Sequence, residues 1–358
     1  MINKNRLKQL LIDMINIYSP SGKETELTDY LQAFFKQNKL DFEYEEVESD
    51  RGNLIIMPED GDCDVVFVGH IDTVPAFDYE NYETDIYDDE IYGLGAVDMK
   101  GGCAAMIESF LSFRENTKKD FNTGLALVVG EEESGDGAYA LSKDYSFKWA
   151  IIGEPTNLQP CYGHFGYVEI ALAAFGQKVH ASLSKPDKNA VKKMMDYLSI
   201  IINYIEKDAN DIIYNIRDLS SSQAGFATPD RCEAYLDLHL PTRYPIGVLT
   251  AEIEDLIFRN FKNEEVNYSL ETIHHGFELT EKGLIPKLIK EIFQKNKYDY
   301  TPFFFKSDSD APILWQSGIK PIILGPGDIS FAHTKEEFIN FQEVVKASEL
   351  YLSIMNEL

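Results

Sequence analysis

The stretch DVVFVGH, residues 64–70, indicates which class of fold this sequence can form. It is a short and continuous apolar run, which is typical of a strand buried on both faces. Comparable runs recur along the chain, and they are NLIIMP (53–58), GLALVVG (124–130), WAIIGEP (149–155) and KPIILGPG (320–327). Because segments with helical spacing lie between these runs, the sequence predicts an α/β domain with a mostly parallel sheet flanked by helices.

The middle of the chain follows another pattern. Three segments alternate in polarity, like strands with one face in water, and they are YVEIALAAFG (167–176), RCEAYLDLHL (231–240) and VNYSLETIHHG (266–276). Helical segments at 186–206 and 246–261 separate them, and we expect one more strand near 211–216. This order predicts an antiparallel sheet with two helices on one face, inserted into the α/β domain.

Length and composition bound the remaining possibilities. A chain of 358 residues favours two domains, which we place at 1–162 together with 275–358, and at 163–274. The formal net charge of −27 argues against partners such as nucleic acid or an anionic membrane. No run approaches the about 20 apolar residues of a membrane span. Four cysteines without CxxC spacing are typical of a reduced, cytoplasmic protein.

Ionisable side chains follow the buried strands. His70 and Asp72 end one strand, Asp98 lies between glycine turns, Glu154 ends another strand, and His333 follows a late one. Taken singly, each has an ordinary explanation. A histidine and a turn-forming aspartate are common at strand ends, and Asp98 fits a helix N-cap as well as it fits a metal ligand.

Taken together, five strand ends deliver His, Asp or Glu to one edge of the predicted sheet, where sites of open α/β sheets lie. Imidazoles and carboxylates are ligands of borderline divalent metals, zinc above all. A bridging carboxylate would allow two ions, and cations would offset the repulsion among Glu131, Glu132 and Glu133. The sequence therefore predicts a two-metal site.

The sequence resembles the family of acetylornithine deacetylase, succinyl-diaminopimelate desuccinylase and related dizinc aminoacylases and exopeptidases. The matching segments occur in the family's order and cover most of the chain, and they are GHIDTVP (69–75), GLGAVDMKGG (93–102), GEEESGDGA (130–138), IIGEPTN (151–157), GQKVHAS (176–182) and GPGDISFAHTKEEF (325–338). The resemblance implies a zinc-exopeptidase-like catalytic domain with an inserted ferredoxin-like lid and dimerisation domain, and a homodimer formed through that lid.

The resemblance also implies the metal ligands. His70, Asp98 and Glu154 would hold one zinc ion, and Asp98, Glu133 and His333 would hold the other. Asp98 would bridge the two ions, and cobalt would serve as a substitute metal.

Three further residues receive roles from the same resemblance. Asp72 would orient His70, and Glu132 would act as the general base for the attacking water. His180 matches a lid histidine that reaches the partner's active site and stabilises the oxyanion. Glu132 and Glu133 can both reach the site only if the chain turns after the strand, because adjacent residues of a strand face opposite ways.

The substrate contacts depart from the family pattern. Phe226 and His239 stand where many members have an asparagine and an arginine that touch substrate. Arg243, close to His239 in the sequence, is the candidate replacement. Ser309 matches a loop that contacts substrate in the family, although a solvated turn explains it equally well.

The predicted activity is metal-dependent hydrolysis of the amide bond of an N-acyl amino acid. N-acetylornithine, in arginine biosynthesis, is the first substrate expected. A succinyl-diaminopimelate desuccinylase or a carrier-protein-linked lysine or ornithine hydrolase is an alternative, since SPSGKE (19–24) and KSDSDAPIL (306–314) are similar to segments of the latter. A dipeptidase or carboxypeptidase, or a non-catalytic metal-holding binding protein, are further alternatives.

Overall fold

The computed structural model describes residues 1–58, 63–76, 84–117, 121–209, 211–262 and 265–358. The chain forms two compact units. The first comprises Met1–Gly163, Leu279–Phe305 and Ser309–Leu358, and the second comprises His164–Glu278 and Lys306–Asp308. The domain boundaries expected after residues 162 and 274 stay a prediction.

Helices and strands alternate through most of the first unit. The α-helices of the chain are α1 (Lys4–Asn16), α2 (Thr25–Gln37), α3 (Gly101–Asn116), α4 (Asp136–Asp144), α5 (Ala190–Asp208), α6 (Ile246–Asn260), α7 (Leu284–Asn296), α8 (Ala311–Gln316) and α9 (Phe341–Glu357). The strands are β1 (Glu43–Glu48), β2 (Arg51–Ile56), β3 (Val65–His70), β4 (Asp85–Tyr87), β5 (Glu90–Tyr92), β6 (Thr123–Val128), β7 (Trp149–Pro155), β8 (Cys161–His164), β9 (Gly166–Phe175), β10 (Ile213–Ser221), β11 (Arg231–Leu240), β12 (Val266–His274), β13 (Phe277–Glu278), β14 (Phe303–Phe305), β15 (Lys320–Gly325) and β16 (Phe338–Asn340).

Six strands of the main sheet lie in the order β1-β2-β6-β3-β7-β15, and β8 pairs antiparallel with β15 on its other side. β3 pairs in parallel with both β6 and β7, and β15 pairs in parallel with β7. Every residue of β2, β3, β6 and β7 is buried, because helices cover both faces. The predicted α/β class with a mostly parallel sheet is confirmed; the antiparallel strands β1 and β2 extend one side.

The core of this unit lies where α3 and α9 pack on the sheet. α3 is buried from Gly101 to Phe113, so only its last turn meets water. The ring of Phe67 in β3 contacts the rings of Phe110 in α3 and Tyr351 in α9, with centroids 5.9 and 5.4 Å apart. Each such buried ring contributes about 1.5–3 kcal/mol of transfer free energy, and the contacts pack β3 against both helices.

The second unit is an antiparallel sheet in the order β10-β11-β9-β12, with α5 and α6 between its strands in the chain. Alternate residues of β9 are buried from Gly166 to Ala174, and they form a core with the apolar faces of the two helices. This β-α-β-β-α-β order with antiparallel pairing is the ferredoxin-like topology, so that part of the predicted fold is also confirmed.

Two features were not foreseen. A small sheet in the order β16-β5-β4 lies beside the main sheet. The sequence predicted that Asp98 follows a buried strand of the main sheet. Instead, Asp98 lies in an irregular helical turn, Ala96–Lys100, after β5. Gly93 and Gly95, which precede this segment, adopt positive φ and fold the chain back toward β3.

Among the described residues, no helix combines the length and apolarity that crossing a membrane requires. All four cysteines are free thiols.

Candidate metal centre

The parallel strands bring their carboxyl ends to one edge of the main sheet. His70, the last residue of β3, pairs with Val128, the last residue of β6, and the Ile71 N–H donates to the Val128 carbonyl at 3.0 Å. Glu154 lies near the end of β7, the other neighbour of β3. This register places the loop after β6 beside His70 and Glu154.

His70 is buried and lies among three carboxylates. Its Nε2 atom lies 3.2 Å from Asp98 Oδ1, 3.6 Å from Glu154 Oε1 and 3.7 Å from Glu131 Oε2. Its Nδ1 atom contacts the backbone carbonyl of Asp72 at 3.1 Å and lies 3.6 Å from the Asp72 carboxylate. If Nδ1 carries the proton and donates a hydrogen bond to this carbonyl, Nε2 keeps a free lone pair that faces the three carboxylates. This is the tautomer that a metal ligand requires.

The Asp72 carboxylate holds the loop that follows β6. Oδ1 accepts from the Glu131 N–H at 3.2 Å, and Oδ2 accepts from the Glu132 N–H at 3.0 Å and from the Ser21 hydroxyl at 2.6 Å. Asp72 was predicted only to orient His70. In the structure Asp72 also holds the loop in place, because its carboxylate accepts hydrogen bonds from the backbone N–H groups of two consecutive glutamates.

A second imidazole meets the same carboxylates. His333 Nε2 lies 3.1 Å from Glu132 Oε2 and 3.4 Å from Asp98 Oδ2. His333 has a left-handed backbone, with φ of 59°, and its side chain is 47% exposed. Asp98 therefore stands between the two histidines, with one oxygen toward each.

The three adjacent glutamates separate according to their position in the loop. The side chains of Glu131 and Glu132 are only 10% and 7% exposed and point into the cluster, whereas Glu133 is exposed. The expected turn is present: the N–H groups of Ser134 and Gly135 both donate to the Gly130 carbonyl, at 3.0 and 2.7 Å. β6 ends at Val128, so the turn begins before the triplet and directs its first two members inward.

Side chains outside the cluster support this loop on both sides. Asn53 in β2 accepts from the Val129 N–H at 3.1 Å and donates to the Gly137 carbonyl at 2.9 Å. Arg51 donates to the Asp136 carboxylate at 2.8 Å, at the start of α4. The loop is thus tied to the core at both ends.

The electrostatics of the cluster favour a bound cation. Burial, together with the neighbouring carboxylates, raises the pKa of Glu131 and of Glu154 well above the ordinary value. Burial opposes protonation of His333, but its contacts with Asp98 and Glu132 raise its pKa above the ordinary value. Carboxylates this close and this buried repel one another unless positive charge lies between them.

The donors present fit a divalent metal. Ligand atoms of His70, Asp98 and Glu132 all lie within 4.8 Å of one another. Glu154 Oε1 is buried and accepts no hydrogen bond, which costs free energy unless an ion or a donor meets it. Imidazole nitrogen and carboxylate oxygen together are the ligand set of zinc and similar ions.

Several predicted residues lie outside this cluster. Glu133 is exposed, and Ser309 is buried at the start of α8, where its Oγ accepts from the Ala311 N–H at 3.1 Å. His180, His239 and Arg243 belong to the second unit.

Each of these three has contacts of its own there. His180 is exposed, with Nδ1 2.8 Å from the Ser182 hydroxyl. His239 packs its ring against Tyr167 at 5.3 Å, and the exposed Arg243 pairs with Glu278 at 2.9 Å.

Two residues near the cluster were missed. The sequence predicted no role for Glu131 or for Glu337. Glu337 is 1% exposed and accepts from the N–H groups of Val97 and Asp98 at 3.0 and 3.3 Å. Nothing in TKEEF (334–338) separates this residue from the exposed Glu336 beside it.

Comparisons with known proteins show what this chain is similar to in sequence. Residues 66–357 match the family model described as Peptidase family M20/M25/M40. The LysW-lysine/LysW-ornithine hydrolase of Sulfurisphaera tokodaii is 26% identical, over 100% of this chain and 97% of that protein. The protein of the same name from Saccharolobus solfataricus is 28% identical, over 99% of this chain and 96% of that protein.

Solved structures share the fold over the whole chain. A tripeptidase from Staphylococcus aureus superposes with a TM-score of 0.81 at 20% identity and covers 100% of this chain and 99% of its own. An M20 family metallo-carboxypeptidase from Sulfolobus solfataricus gives a TM-score of 0.76 at 16% identity, with 98% and 99% covered. At these identities the likeness concerns the fold alone.

Proposed function

Since this chain belongs to peptidase family M20/M25/M40, we propose that it hydrolyses the amide bond that joins lysine or ornithine to a carrier protein. The predicted family and the predicted class of enzyme, a metal-dependent hydrolase of linear amides, are confirmed. The substrate is the proposal. The relatives that match over nearly the whole chain are named as LysW-lysine/LysW-ornithine hydrolases, which is one of the alternatives expected from the sequence. We therefore prefer a carrier-linked lysine or ornithine to N-acetylornithine as the substrate.

The observation that carries the reaction type is the largely buried cluster of two imidazoles and four carboxylates around His70 and Asp98. We propose that His70, Asp98 and Glu154 hold one divalent ion, and that Asp98, Glu132 and His333 hold a second. Zinc is the proposed metal, with cobalt as a substitute. Bound there, the two ions would lower the pKa of water and polarise the amide carbonyl.

We propose that Glu131 carries the proton. Its carboxylate faces the cluster and lies 3.7 Å from His70, but it is not required in either set of three ligands. A buried carboxylate with a raised pKa can accept a proton from the attacking water and pass it to the departing amine. The role first given to Glu132 thus moves to Glu131, and the ligand role first given to Glu133 moves to Glu132.

The shift by one residue has a geometric reason. Asp72 accepts from the N–H groups of both Glu131 and Glu132, so the loop presents these two side chains together. Glu133 follows them onto the exposed side of the turn. A ligand at Glu133 would need the loop to rotate and to lose both hydrogen bonds with Asp72.

We expect one substrate to dominate a matched panel. The purified chain, loaded with Zn²⁺ or Co²⁺, is assayed with carrier-linked lysine and ornithine, N-acetylornithine, N-succinyl-diaminopimelate, formyl-amino acids and dipeptides. The carrier conjugates should give kcat/KM at least about 10-fold above the others, because a buried polar site rejects substrates that leave its groups unpaired. Removing the metal with a chelator should abolish this activity, and adding metal back should restore it.

Other results of this panel would contradict the proposal in distinct ways. A preference for N-acetylornithine, a succinyl compound or a dipeptide would select that substrate instead. Tight binding of the conjugate without turnover would identify a binding protein that retains the metal site.

We also propose a homodimer in which His180 serves the partner's site, as the resemblance implied. His180→Ala and Glu131→Gln chains, each inactive alone, should recover about a quarter of the parental activity when mixed equally, because half of the dimers are mixed and each has one complete site. Different affinity tags on the two chains, both recovered after purification on one tag, serve as the control for exchange of subunits. Failure to recover activity would place His180 in its own chain's site or outside the chemistry.

A further inference from the structure

Glu337 joins two segments of the first unit that each supply a residue to the cluster. Its Oε1 accepts from the N–H groups of Val97 and Asp98, at 3.0 and 3.3 Å. Its own N–H donates to the Thr334 carbonyl at 3.1 Å, one residue after His333. The side chain is 1% exposed, so these contacts form away from water.

The backbone at Asp98 cannot supply its own acceptors. Asp98 has φ of −121° and ψ of 98°, which interrupts the helical turn at this point. Val97 and Asp98 also lie in the first turn of the segment, where N–H groups have no helical acceptor, and a buried N–H without an acceptor is disfavoured. A carboxyl oxygen, which has two lone pairs, can accept from both N–H groups at once.

The main chain of Glu337 fixes the same region from a second direction. The Gly93 N–H donates to the Glu337 carbonyl at 3.1 Å. The next three residues form β16, which pairs with β5, so that Phe338 lies opposite Tyr92 and Ile339 opposite Ile91. The segments 90–98 and 333–340 are consequently held together at several points, with Glu337 at the centre.

We propose that Glu337 is a positioning residue that sets Asp98 against His333 and thereby determines metal affinity. Asp98 Oδ2 and His333 Nε2 lie 3.4 Å apart, and the segments that carry them meet through Glu337. The inference rests on the proposed roles of Asp98 and His333 as ligands. Partners that orient ligands in this way typically affect metal affinity about 10–100-fold.

The alternative is that Glu337 only stabilises the fold. Two substitutions separate the alternatives. Glu337→Gln keeps an oxygen that can accept from both N–H groups, and Glu337→Met has similar length without a strong acceptor. Glu336→Met, at the exposed neighbour, is the matched control.

The test is a Co²⁺ titration of metal-free full-length protein, followed by visible absorption, with Tm measured before and after loading. We expect Glu337→Met to weaken binding of at least one ion about 10–100-fold and to reduce the rise in Tm that metal produces. Glu337→Gln and Glu336→Met should bind nearly as the parent does. Because this titration uses no substrate, its result does not depend on whether the proposed hydrolysis is observed.

Parental affinity in Glu337→Met would overturn the proposal. So would an equal loss of Tm with and without metal, because that pattern belongs to a residue that supports only the fold. If Glu337→Met does not fold, Glu337→Ala takes its place in the same titration, because it also removes the acceptor from both N–H groups. A loss of Co²⁺ affinity of at least about 10-fold in Glu337→Ala, beside parental affinity in Glu337→Gln, supports positioning by hydrogen bonds. Parental affinity in both variants, or a loss beyond about 10-fold in Glu337→Gln, overturns the proposal.

Discussion

Glu131→Gln should lower kcat about 10²- to 10⁴-fold while the protein keeps its full complement of metal. The amide that replaces the carboxylate has nearly the same shape but cannot accept the proton of the attacking water. His70, Asp98 and Glu132 are unchanged, so the metal ligands remain. Steady-state kinetics together with metal analysis of the same preparation measures both quantities.

The neighbouring glutamates provide matched controls for Glu131→Gln. Glu133→Gln should leave kcat and metal content near the parental values, because this side chain is exposed. Glu132→Gln should lower metal content, because its carboxylate contacts His333 at 3.1 Å. A Glu131 variant with parental turnover, or a Glu133 variant that loses metal, would restore the assignment first made from the sequence.

Asp98→Asn should have the largest effect on metal binding, because this one carboxylate faces both histidines. Oδ1 lies 3.2 Å from His70 Nε2, and Oδ2 lies 3.4 Å from His333 Nε2. An amide offers one weakly basic oxygen in place of two charged ones. We expect both ions to bind more weakly and activity to fall by more than about 10³-fold, since metal ions contribute several kcal/mol to the transition state.

Calorimetric titration with Zn²⁺ measures the loss at Asp98, with Asp88→Asn as the control. Asp88 is exposed, and its left-handed backbone, with φ of 54°, suits asparagine equally well. A variant at Asp98 that still binds two ions with parental affinity would show that Asp98 does not bridge them.

The sequence predicted the sheet because parallel strands that are buried on both faces consist of continuous apolar runs. VVFVGH (65–70) is one such run. The sequence predicted where His70 and Glu154 would lie for the same reason, since the ends of such strands share one edge. For Asp98, the carboxylate side chain indicated a candidate metal ligand, but the sequence did not predict the backbone structure that positions it. Its segment folds back through Gly93 and Gly95, and no periodicity reveals that path.

The order of roles within the glutamate triplet could not be obtained from the sequence. Three identical side chains follow one another, and only the point at which β6 ends determines which of them face inward. Gly130 and Gly135 both adopt positive φ, so the turn starts before the triplet and closes after it. The role of Glu337 could not be predicted from the sequence either, because its partners are backbone N–H groups about 240 residues away in the chain.

Four donors surround the Asp72 carboxylate, and they have a consequence for what position 72 can contain. The hydroxyl of Ser21 and the N–H groups of Glu131 and Glu132 use three lone-pair sites, and His70 Nδ1 lies 3.6 Å from Oδ1. Burial opposes ionisation of this carboxyl, but the neighbouring His70 imidazole and the hydrogen bonds from Ser21 and Glu132 keep its pKa below the ordinary value. Three of its about four acceptor positions are thus occupied by donors of the protein, which favours a role in supporting the loop over a role as a metal ligand. An asparagine here would turn an NH₂ group toward one of these donors, so the position has no neutral isostere.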